Sequence, residues 1–355
     1  MENFNKKPEK DSLIITGLEI AKPNSTIGNS ELEEDLKDTY KYLQGNHGKT
    51  DPIFEKVGIK NRHSVMNSMT ATDLSVEAGK KLMEKYPLNN EDKMLVITGT
   101  MSAEDRLPSS AAKTLERLNL TRENGYNKIT AFDVSAACSG WTYGIEIAEA
   151  MLISKGYMSA IVFSSDTMTR LVDKKDKSRV LWGDAATASL IEREKEGSKG
   201  FRILKTDTVT YAVDTRNIRY PTELSLDSTP EEKNKMNLKG GEVYKSGVEY
   251  SAEFIKKYLK ENNIDIKDID YVIPHQSNKS MLDSLNEVLN LGKNKYGEEK
   301  MLINIENVGN TGASSAPLCL FDFKEKGMFK NGDKILMCSF GAGYTIGIVE
   351  VEFID

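Results

Sequence analysis

The sequence holds very little cysteine, histidine or tryptophan: of its 355 residues, 3 are Cys, 3 are His and 2 are Trp. The cysteines, at 138, 319 and 338, have no CxxC spacing and do not cluster with histidines along the chain. This argues against a disulfide framework and a structural zinc site, and it favours a reducing compartment. Positive charge is not in excess either, because 48 Lys and Arg face 54 Asp and Glu. A net charge of −6 disfavours a nucleic-acid partner.

Long hydrophobic runs are also absent from the sequence. Residues 1–10 are polar and lack the apolar region of a signal peptide, so we expect this first decade to be frayed. One of the longest uncharged stretches, 335–349, contains three glycines and is shorter than the ~20 residues of a membrane helix. We expect a soluble, cytoplasmic protein with no membrane partner. Its length corresponds to two domains or to one large duplicated unit.

Strand patterns alternate with helical patterns along the chain, which indicates an α/β fold. Strands are predicted at 94–98, 129–134, 160–164, 271–273 and 335–339. Apolar residues at helical spacing predict helices over 141–152 and 248–259. Small-residue turns at 136–140 and 309–313 give the two halves a similar pattern, which suggests a duplication. The charged segment between the halves, 214–245, is predicted to be a surface excursion outside the core.

One cysteine stands where a buried strand meets a helix. Cys138 lies in a run of mostly small residues, 133–140, at the start of a predicted helix. Backbone N–H groups and the helix dipole favour a thiolate there, so we predict a lowered pKa and a nucleophilic role. The alternative is a buried structural cysteine, the usual state of free Cys. Cys319 and Cys338 fall in a predicted apolar helix and strand, and we expect both to be structural.

Two further polar residues follow predicted strands. His275 ends a buried strand, where a neutral imidazole could donate a hydrogen bond to a carbonyl that gains negative charge. A satisfied core histidine is the alternative for His275. Asn310 lies in a turn rich in Gly and Asn, 307–317, which by itself could be an ordinary turn or a helix cap.

A glycine motif near the C-terminus needs separate treatment. Glycines at 341, 343 and 347 have GxGxxxG spacing and precede a strand pattern, whereas a dinucleotide site needs GxGxxG before a helix. We therefore reject a dinucleotide site. We predict instead a glycine hairpin that brings backbone N–H groups close to a substrate.

In their order along the chain, these motifs resemble those of the β-ketoacyl-acyl-carrier-protein synthase III family, ketosynthases of the thiolase superfamily. Residues 132–140 resemble the nucleophile segment, 181–186 the glycine–aspartate turn, 274–278 and 309–311 the histidine and asparagine motifs, and 339–345 the C-terminal hairpin. The resemblance runs from about residue 12 to the C-terminus. It implies an α/β, thiolase-like five-layered αβαβα sandwich of two duplicated halves, 12–195 carrying the nucleophilic Cys and 196–355 carrying the His and Asn.

The resemblance also implies a reaction. Cys138 would take an acyl group from acyl-CoA or an acyl-carrier protein, and a decarboxylative Claisen condensation with a malonyl thioester would follow. His275 and Asn310 would stabilise the enolate, and the backbone N–H groups of Cys138 and Ala342 would form the oxyanion hole. No bound cofactor and no metal is implied, because neutral donors suffice. The enzyme would act in fatty-acid initiation or in specialised, polyketide-type metabolism.

Partner contacts are implied as well. The resemblance implies a homodimer, in which Leu107 corresponds to a position that reaches into the acyl pocket of the neighbouring subunit. An acidic acyl-carrier protein would dock on a local lysine patch, which can steer it despite the net charge of −6. The candidate docking residues are Lys279, Lys245, Lys256 and Lys257.

Three alternatives stay open. A hydroxymethylglutaryl-CoA synthase would share the Cys–His pair, but it needs a glutamate where this chain has Met101. An acyltransferase would use Cys138 without condensation, although the presence of both His275 and Asn310 favours condensation. A non-catalytic ketosynthase partner subunit would usually lack the cysteine, so Cys138 disfavours it.

Overall fold

The computed structural model describes residues 12–37, 51–66 and 68–355 of the chain. The polar residues 1–10, expected to be frayed, lie outside these ranges, as does His47. Among the helices within the ranges, none combines the length and the apolar character that crossing a bilayer requires.

The strands and helices alternate along most of the chain. The strands are β1 Leu13–Ala21, β2 Thr26–Gly28, β3 Asn61–His63, β4 Met94–Gly99, β5 Ile129–Val134, β6 Ser159–Thr167, β7 Asp184–Arg193, β8 Gly200–Thr210, β9 Ile218–Arg219, β10 Asn237–Leu238, β11 Tyr271–Pro274, β12 Lys334–Gly341 and β13 Thr345–Ile354. The helices are α1 Asn29–Leu36, α2 Pro52–Val57, α3 Ala71–Lys85, α4 Ser110–Arg117, α5 Gly140–Lys155, α6 Gly240–Glu261, α7 Lys279–Leu289, α8 Ile305–Val308 and α9 Ser315–Glu325.

The main sheet repeats one topology in the two halves of the chain. The first half has the order β5-β4-β6-β7-β1, and the second has the order β11-β12-β13-β8. The strand directions match, because β4–β6 and β11–β12 are parallel pairs while the pairs that follow are antiparallel. In the second half the counterpart of β5 is a single parallel bridge between Val272 and Met301. An antiparallel pairing of β1 with β8 joins the two halves edge to edge.

Side-chain alternation along the strands divides the core into layers. In β4, Leu95 and Ile97 join the cluster that includes Trp141 of α5 and Cys319 of α9, whereas Val96 faces the cluster that includes α3. Strands β11 and β12 likewise share one face with α5 and α9 and the other with α6 and α7. Successive strand residues point to opposite faces, so the part of the sheet that belongs to each half is covered on both sides. The result is five layers with α5 and α9 in the middle, as the resemblance implied.

The predicted elements compare well with this fold, with one correction. The strands predicted from the sequence fall within β4, β5, β6, β11 and β12, and the two helices fall within α5 and α6. The segment 214–245 lies mostly at the surface, as predicted, but the prediction that it stays outside the core is wrong. It carries β9, β10 and the start of α6, and its Met236 is 5% exposed and packs with Met168 and Trp182. High charge in the segment hid these few buried apolar residues.

Candidate active site

Cys138 lies on a sharp turn that links β5 to α5. The preceding residue, Ala137, has a φ of +48°, and residues 137–139 form one 3-10 turn before the helix starts. The loop between β12 and β13 packs directly on this turn. A Cβ atom on Gly341 would lie 2.9 Å from the Ala136 carbonyl oxygen and 2.9 Å from the Cys138 nitrogen. Only a glycine permits so close an approach of two backbones.

The Cys138 thiol does not have the lowered pKa predicted from the sequence. The residue is half-buried, and burial raises the pKa of the thiol, with the charge of Asp166 acting in the same direction. Desolvation penalises a thiolate, and here it outweighs the backbone hydrogen bond that would favour one. Cys138 is therefore a thiol in the resting site. It must lose its proton in order to act as a nucleophile.

Asp166 is a buried carboxylate that is absent from the sequence predictions. Near the end of β6, its Oδ1 accepts hydrogen bonds from the Met101 N–H at 2.7 Å, the Thr100 hydroxyl at 3.2 Å and the Ser102 hydroxyl at 3.3 Å. Its Oδ2 accepts from the Ala313 N–H at 2.9 Å, in the other half of the chain. Burial raises the pKa of Asp166 to about 6. An acidic residue in an otherwise uncharged strand was the available signal in the sequence.

His275 follows β11 directly, and two contacts fix its place. Its backbone N–H donates to the Cys338 carbonyl at 2.7 Å, and its Nδ1 lies 2.6 Å from the Ser315 hydroxyl at the start of α9. The residue is 7% exposed, and burial lowers the pKa of the imidazole to about 4. His275 is therefore neutral at neutral pH, because desolvation penalises the imidazolium. The neutral state is the one that the sequence prediction required.

Asn310 is held by its own backbone against the segment before β7. Its N–H donates to the Leu181 carbonyl at 2.7 Å, and its carbonyl accepts from the Gly183 N–H at 2.9 Å. The glycine–aspartate motif at 181–186 thus contacts the asparagine motif. Within its turn, the Asn310 Oδ1 accepts a hydrogen bond from the Gly312 N–H at 3.0 Å. Because the amide oxygen is engaged there, the amide nitrogen is the part of the side chain that remains to bind a ligand, and it can only donate hydrogen bonds.

The three candidate residues share one cavity. Cys138, His275 and Asn310 line a cavity of about 80 Å³ together with Ala342 of the loop between β12 and β13. The rest of the wall is mostly apolar and comes from distant segments of the chain, including Met101, Met168, Trp182, Ile218, Met236 and Leu238. Met101, the position at which a hydroxymethylglutaryl-CoA synthase needs a glutamate, is thus part of an apolar wall.

A second, larger cavity adjoins the first and opens to solvent. Its volume is about 730 Å³, and it shares Leu181, Leu238, Gly240 and Asn278 with the first cavity. The residues that line it also include three lysines, Lys56, Lys175 and Lys177. These lysines are absent from the sequence predictions because two separate segments of the chain supply them. The lysine-bearing cavity, here called the mouth of the site, thus lies beside the cavity that holds Cys138.

The predicted docking lysines do not form one uninterrupted positive patch. Lys245 and Lys256 line a shallow surface cavity on α6, but Glu249 and Glu253 line it too. Lys257 lies 4.0 Å from Glu261 on the same helix, and Lys279 of α7 pairs with Asp283 at 2.6 Å. All four lysines are exposed. Leu107, the predicted dimer residue, is 83% exposed on the single chain.

The other described cysteines and histidine have structural environments. Cys319 is buried in α9 with its Sγ 3.6 Å from the Leu302 carbonyl, and Cys338 is buried in β12. The His63 Nδ1 lies 2.7 Å from the Pro23 carbonyl oxygen. Over the described parts of the chain, no group of three or more His, Cys, Asp and Glu side chains is arranged to hold a metal ion.

A cysteine, a neutral histidine and an asparagine in one cavity, at the junction of two repeated halves, define the class of thiolase-fold acyl-transferring enzymes. Family models narrow this class. Residues 132–212 match the model of 3-oxoacyl-[acyl-carrier-protein] synthase III, and residues 259–353 match the model of its C-terminal part. Cys138 lies in the first match, and His275 and Asn310 lie in the second. The chain belongs to the β-ketoacyl-acyl-carrier-protein synthase III family, and it is an acyltransferase-class enzyme.

Individual relatives agree with this assignment. The β-ketoacyl-[acyl-carrier-protein] synthase III of Coxiella burnetii is 30% identical over 330 residues, which cover 92% of this chain and 94% of the relative. The enzyme of the same name from Clostridium tetani is 32% identical over 305 residues, covering 82% and 87%.

Solved structures confirm the thiolase-like fold. A crystal structure of 3-oxoacyl-[acyl-carrier-protein] synthase III from Aquifex aeolicus has a TM-score of 0.79 at 28% identity, covering 96% of this chain and all of that one. OleA from Xanthomonas campestris, solved with lauric acid and lauroyl-CoA, has a TM-score of 0.82 at 20% identity, covering 96% and 99%. At that identity the likeness to OleA concerns the fold alone.

Proposed function

We propose that this protein joins an acyl group carried on Cys138 to a malonyl thioester through a new carbon–carbon bond. The observation that carries the proposal is the convergence of Cys138, His275, Asn310 and Ala342 on one cavity, with the imidazole neutral. In the first half-reaction the Cys138 sulfur attacks the carbonyl carbon of a thioester donor. A new S–C bond forms, the donor S–C bond breaks, and the thiol proton leaves with the departing thiol.

The second half-reaction uses the neutral donors of the site. A malonyl thioester loses CO2, and the electron pair of the broken C–C bond forms an enolate. The N–H of His275 and the amide nitrogen of Asn310 donate hydrogen bonds to the enolate oxygen. The enolate carbon then attacks the acyl-Cys138 carbonyl, the Cys138 S–C bond breaks, and the thiolate takes up a proton. The product is a β-ketoacyl thioester.

The oxyanion hole is assigned to two backbone donors, the N–H groups of Cys138 and Ala342. The close approach of Gly341 to the Cys138 nitrogen supports this assignment, because it holds the two backbones side by side. Backbone donors need no reorganisation when charge develops on the carbonyl oxygen. The loss of one such donor typically costs ~2.7–4 kcal/mol of transition-state stabilisation.

The substrates and partners follow from the same proposal. The donor is an acyl-CoA or an acyl-carrier protein, no bound cofactor is needed, and the reaction starts a fatty-acid or specialised, polyketide-type chain. An acidic carrier protein would dock near the mouth and on the exposed lysines of α6 and α7, through Lys245, Lys256, Lys257 and Lys279. The unpaired state of the cysteines supports a cytoplasmic location.

We propose further that the chain forms a homodimer in which Leu107 enters the acyl pocket of the partner. The support is the 83% exposure of its side chain on the single chain, which leaves it free to contact a partner. We also propose 12–195 and 196–355 as the two structural halves. Residues 195 and 196 lie in the turn between β7 and β8, between the two repeats of the sheet topology.

The test follows the two half-reactions separately. Incubated with a set of acyl-CoA and acyl-carrier-protein donors, the protein should gain one acyl mass on Cys138, and the Cys138→Ala variant should gain none. Malonyl-carrier protein should then release CO2 and a β-ketoacyl product. Loading without CO2 release, followed by transfer to an alcohol or an amine, would support an acyltransferase instead. No loading with any donor would support a non-catalytic partner subunit.

A further inference from the structure

A buried hydroxyl supports the imidazole of His275 from the α9 side. Ser315, the first residue of α9, is 2% exposed. Its Oγ lies 2.6 Å from the Nδ1 of His275, and the backbone N–H of Gln276 donates to the same oxygen at 3.3 Å. The arrangement decides which nitrogen of the imidazole carries its hydrogen.

The argument is a count of donors and acceptors. A neutral imidazole has one N–H and one bare nitrogen, and a hydroxyl has one hydrogen to give. The Gln276 N–H donates to the Ser315 oxygen, so the hydroxyl hydrogen points elsewhere. Among the described residues the only other hydrogen-bond partner of this oxygen is Nδ1 of His275, at 2.6 Å. If Nδ1 carried the hydrogen, the Ser315 oxygen would accept two hydrogen bonds and its own buried hydrogen would have no acceptor, which is costly. Nδ1 then accepts, and the imidazole hydrogen must be on Nε2.

We propose that Ser315 is a positioning residue that holds neutral His275 in the tautomer whose Nε2 bears the hydrogen. His275 lines the cavity, and with its Nδ1 engaged by Ser315 the Nε2–H is the edge available to a substrate. In many enzymes the hydrogen bond made by one ring nitrogen sets the state of the other. The inference deepens the proposed function, because it specifies how His275 donates to the malonyl carbonyl.

The two half-reactions should depend on Ser315 to different extents. With the hydrogen on Nδ1, the bare Nε2 would present a lone pair to the enolate oxygen, which is repulsive. Condensation therefore needs the Nε2–H tautomer. Loading of Cys138 relies on the backbone donors of Cys138 and Ala342, so it should tolerate the loss of the serine hydroxyl. At metal sites, loss of the partner that orients a histidine typically costs ~10- to 100-fold in activity, and we expect a loss of that order here.

The tautomer can be measured directly because the chain has only 3 histidines. In protein labelled with nitrogen-15 histidine, the His275 signals are identified by their absence from a His275→Asn variant. We expect the wild-type protein to show a protonated Nε2 and a bare Nδ1. In Ser315→Ala the hydrogen should move wholly or partly to Nδ1. An unchanged tautomer in Ser315→Ala would overturn the proposal, whatever happens to activity.

Kinetic measurements of the two half-reactions provide a second test, with the neighbouring serine as a matched control. Ser314 is equally buried, but its hydroxyl donates to the Ser164 carbonyl at 2.9 Å. Ser315→Ala should lower CO2 release from malonyl-carrier protein by ~10- to 100-fold while acyl loading stays within about twofold, and Ser314→Ala should leave that ratio unchanged. An equal loss in both variants would indicate mere packing and overturn the proposal.

A second pair of variants covers the case in which Ser315→Ala does not fold. Ser315→Thr keeps the hydroxyl, and Ser315→Val has nearly the same shape as the threonine variant but lacks the hydroxyl. Only the threonine variant should retain the wild-type tautomer and CO2 release, and equal behaviour of the pair contradicts the proposal. If the wild-type protein itself releases no CO2, the proposed function fails, but the nitrogen-15 measurement still decides the tautomer.

Discussion

The contact between Gly341 and the Cys138 turn gives the sharpest prediction about the oxyanion hole. A Cβ atom added to Gly341 would lie 2.7 Å from the Thr345 Oγ1 and 2.9 Å from both the Ala136 oxygen and the Cys138 nitrogen. Ordinary van der Waals contact of a Cβ atom is 3.4–4 Å, so the two backbones must separate by about 0.5–1 Å. Such a shift moves the Ala342 N–H away from the Cys138 N–H, although both must reach the same oxygen atom.

The expected effect of Gly341→Ala is large on catalysis and moderate on stability. Misplacing a catalytic group by ~1 Å costs on the order of 100-fold, and loss of one oxyanion donor costs ~2.7–4 kcal/mol. We therefore expect acyl loading of Cys138 to slow by ~100- to 1,000-fold. Overpacking costs ~1–3 kcal/mol, which is less than the ~5–15 kcal/mol that stabilises a typical native protein. The variant should therefore remain folded.

The assay is the rate of acyl mass gain on Cys138, measured beside urea unfolding of the same sample. Gly241→Ala is the matched control, because a Cβ atom at that exposed glycine would meet nothing within 4 Å. The control should load Cys138 at the wild-type rate. If Gly341→Ala loses stability but loads as fast as the wild type, the close approach is only packing. The assignment of the Ala342 N–H to the oxyanion hole would then be refuted.

Three further predictions concern the charges and the surface of the site. Since folding lowers the pKa of His275 from 6.5 to about 4, the stability gained by keeping it neutral is present above pH 6.5 and is lost as the pH falls to about 4. Over this pH range the free energy of unfolding in urea should fall by about 3 kcal/mol more in the wild type than in His275→Asn, because the buried Asp166 and Asp184, whose pKa values are raised to about 6, are common to both proteins. Asp166→Asn should lower the pKa of Cys138 and accelerate its alkylation at fixed pH, and slower alkylation would contradict this prediction. The new amide would face the Ala313 N–H, which should cost ~1–3 kcal/mol of stability. Leu107→Ser should alter the ratio of short-chain to long-chain loading, and an unchanged ratio would argue against its place in a partner's pocket.

The sequence predicted the parts of the fold that depend on local pattern. Apolar strand runs and the helical stripe of α5 were placed within the observed elements because burial on one face imposes the period on the sequence. The motifs around Cys138, His275 and Asn310 could be found for a similar reason, since each follows a strand or a helix and is built from small or polar residues. The strand before Cys138 is not buried as predicted, because β5 is an edge strand whose six residues are all partly or fully exposed. The predicted glycine hairpin also lies where the strands β12 and β13 meet.

The features that could not be predicted from the sequence depend on contacts between distant segments of the chain. The pKa of Cys138 was predicted in the wrong direction, because the helix start is visible locally while the desolvation and the charge of Asp166 come from the folded surroundings. The buried part of 214–245 was missed for the same reason, since Met236 becomes an apolar wall residue only beside Met168 and Trp182. Ser315 has no motif of its own, and its relation to His275 spans 40 residues.

The duplication itself explains why the catalytic candidates converge. Cys138 follows β5, and Asn310 follows the segment at Met301 that takes the place of β5 in the second half. Cys138 lies within a 3-10 turn of small residues that leads into the central helix α5. Asn310 shortly precedes a similar turn that leads into the other central helix, α9. The two turns meet, since a Cβ atom on Gly140 would lie 3.4 Å from that of Ala313. One repeated strand–turn–helix unit thus places a nucleophile from one copy and a neutral donor from the other at the same cavity, and the edge-to-edge pairing of β1 with β8 fixes their relation.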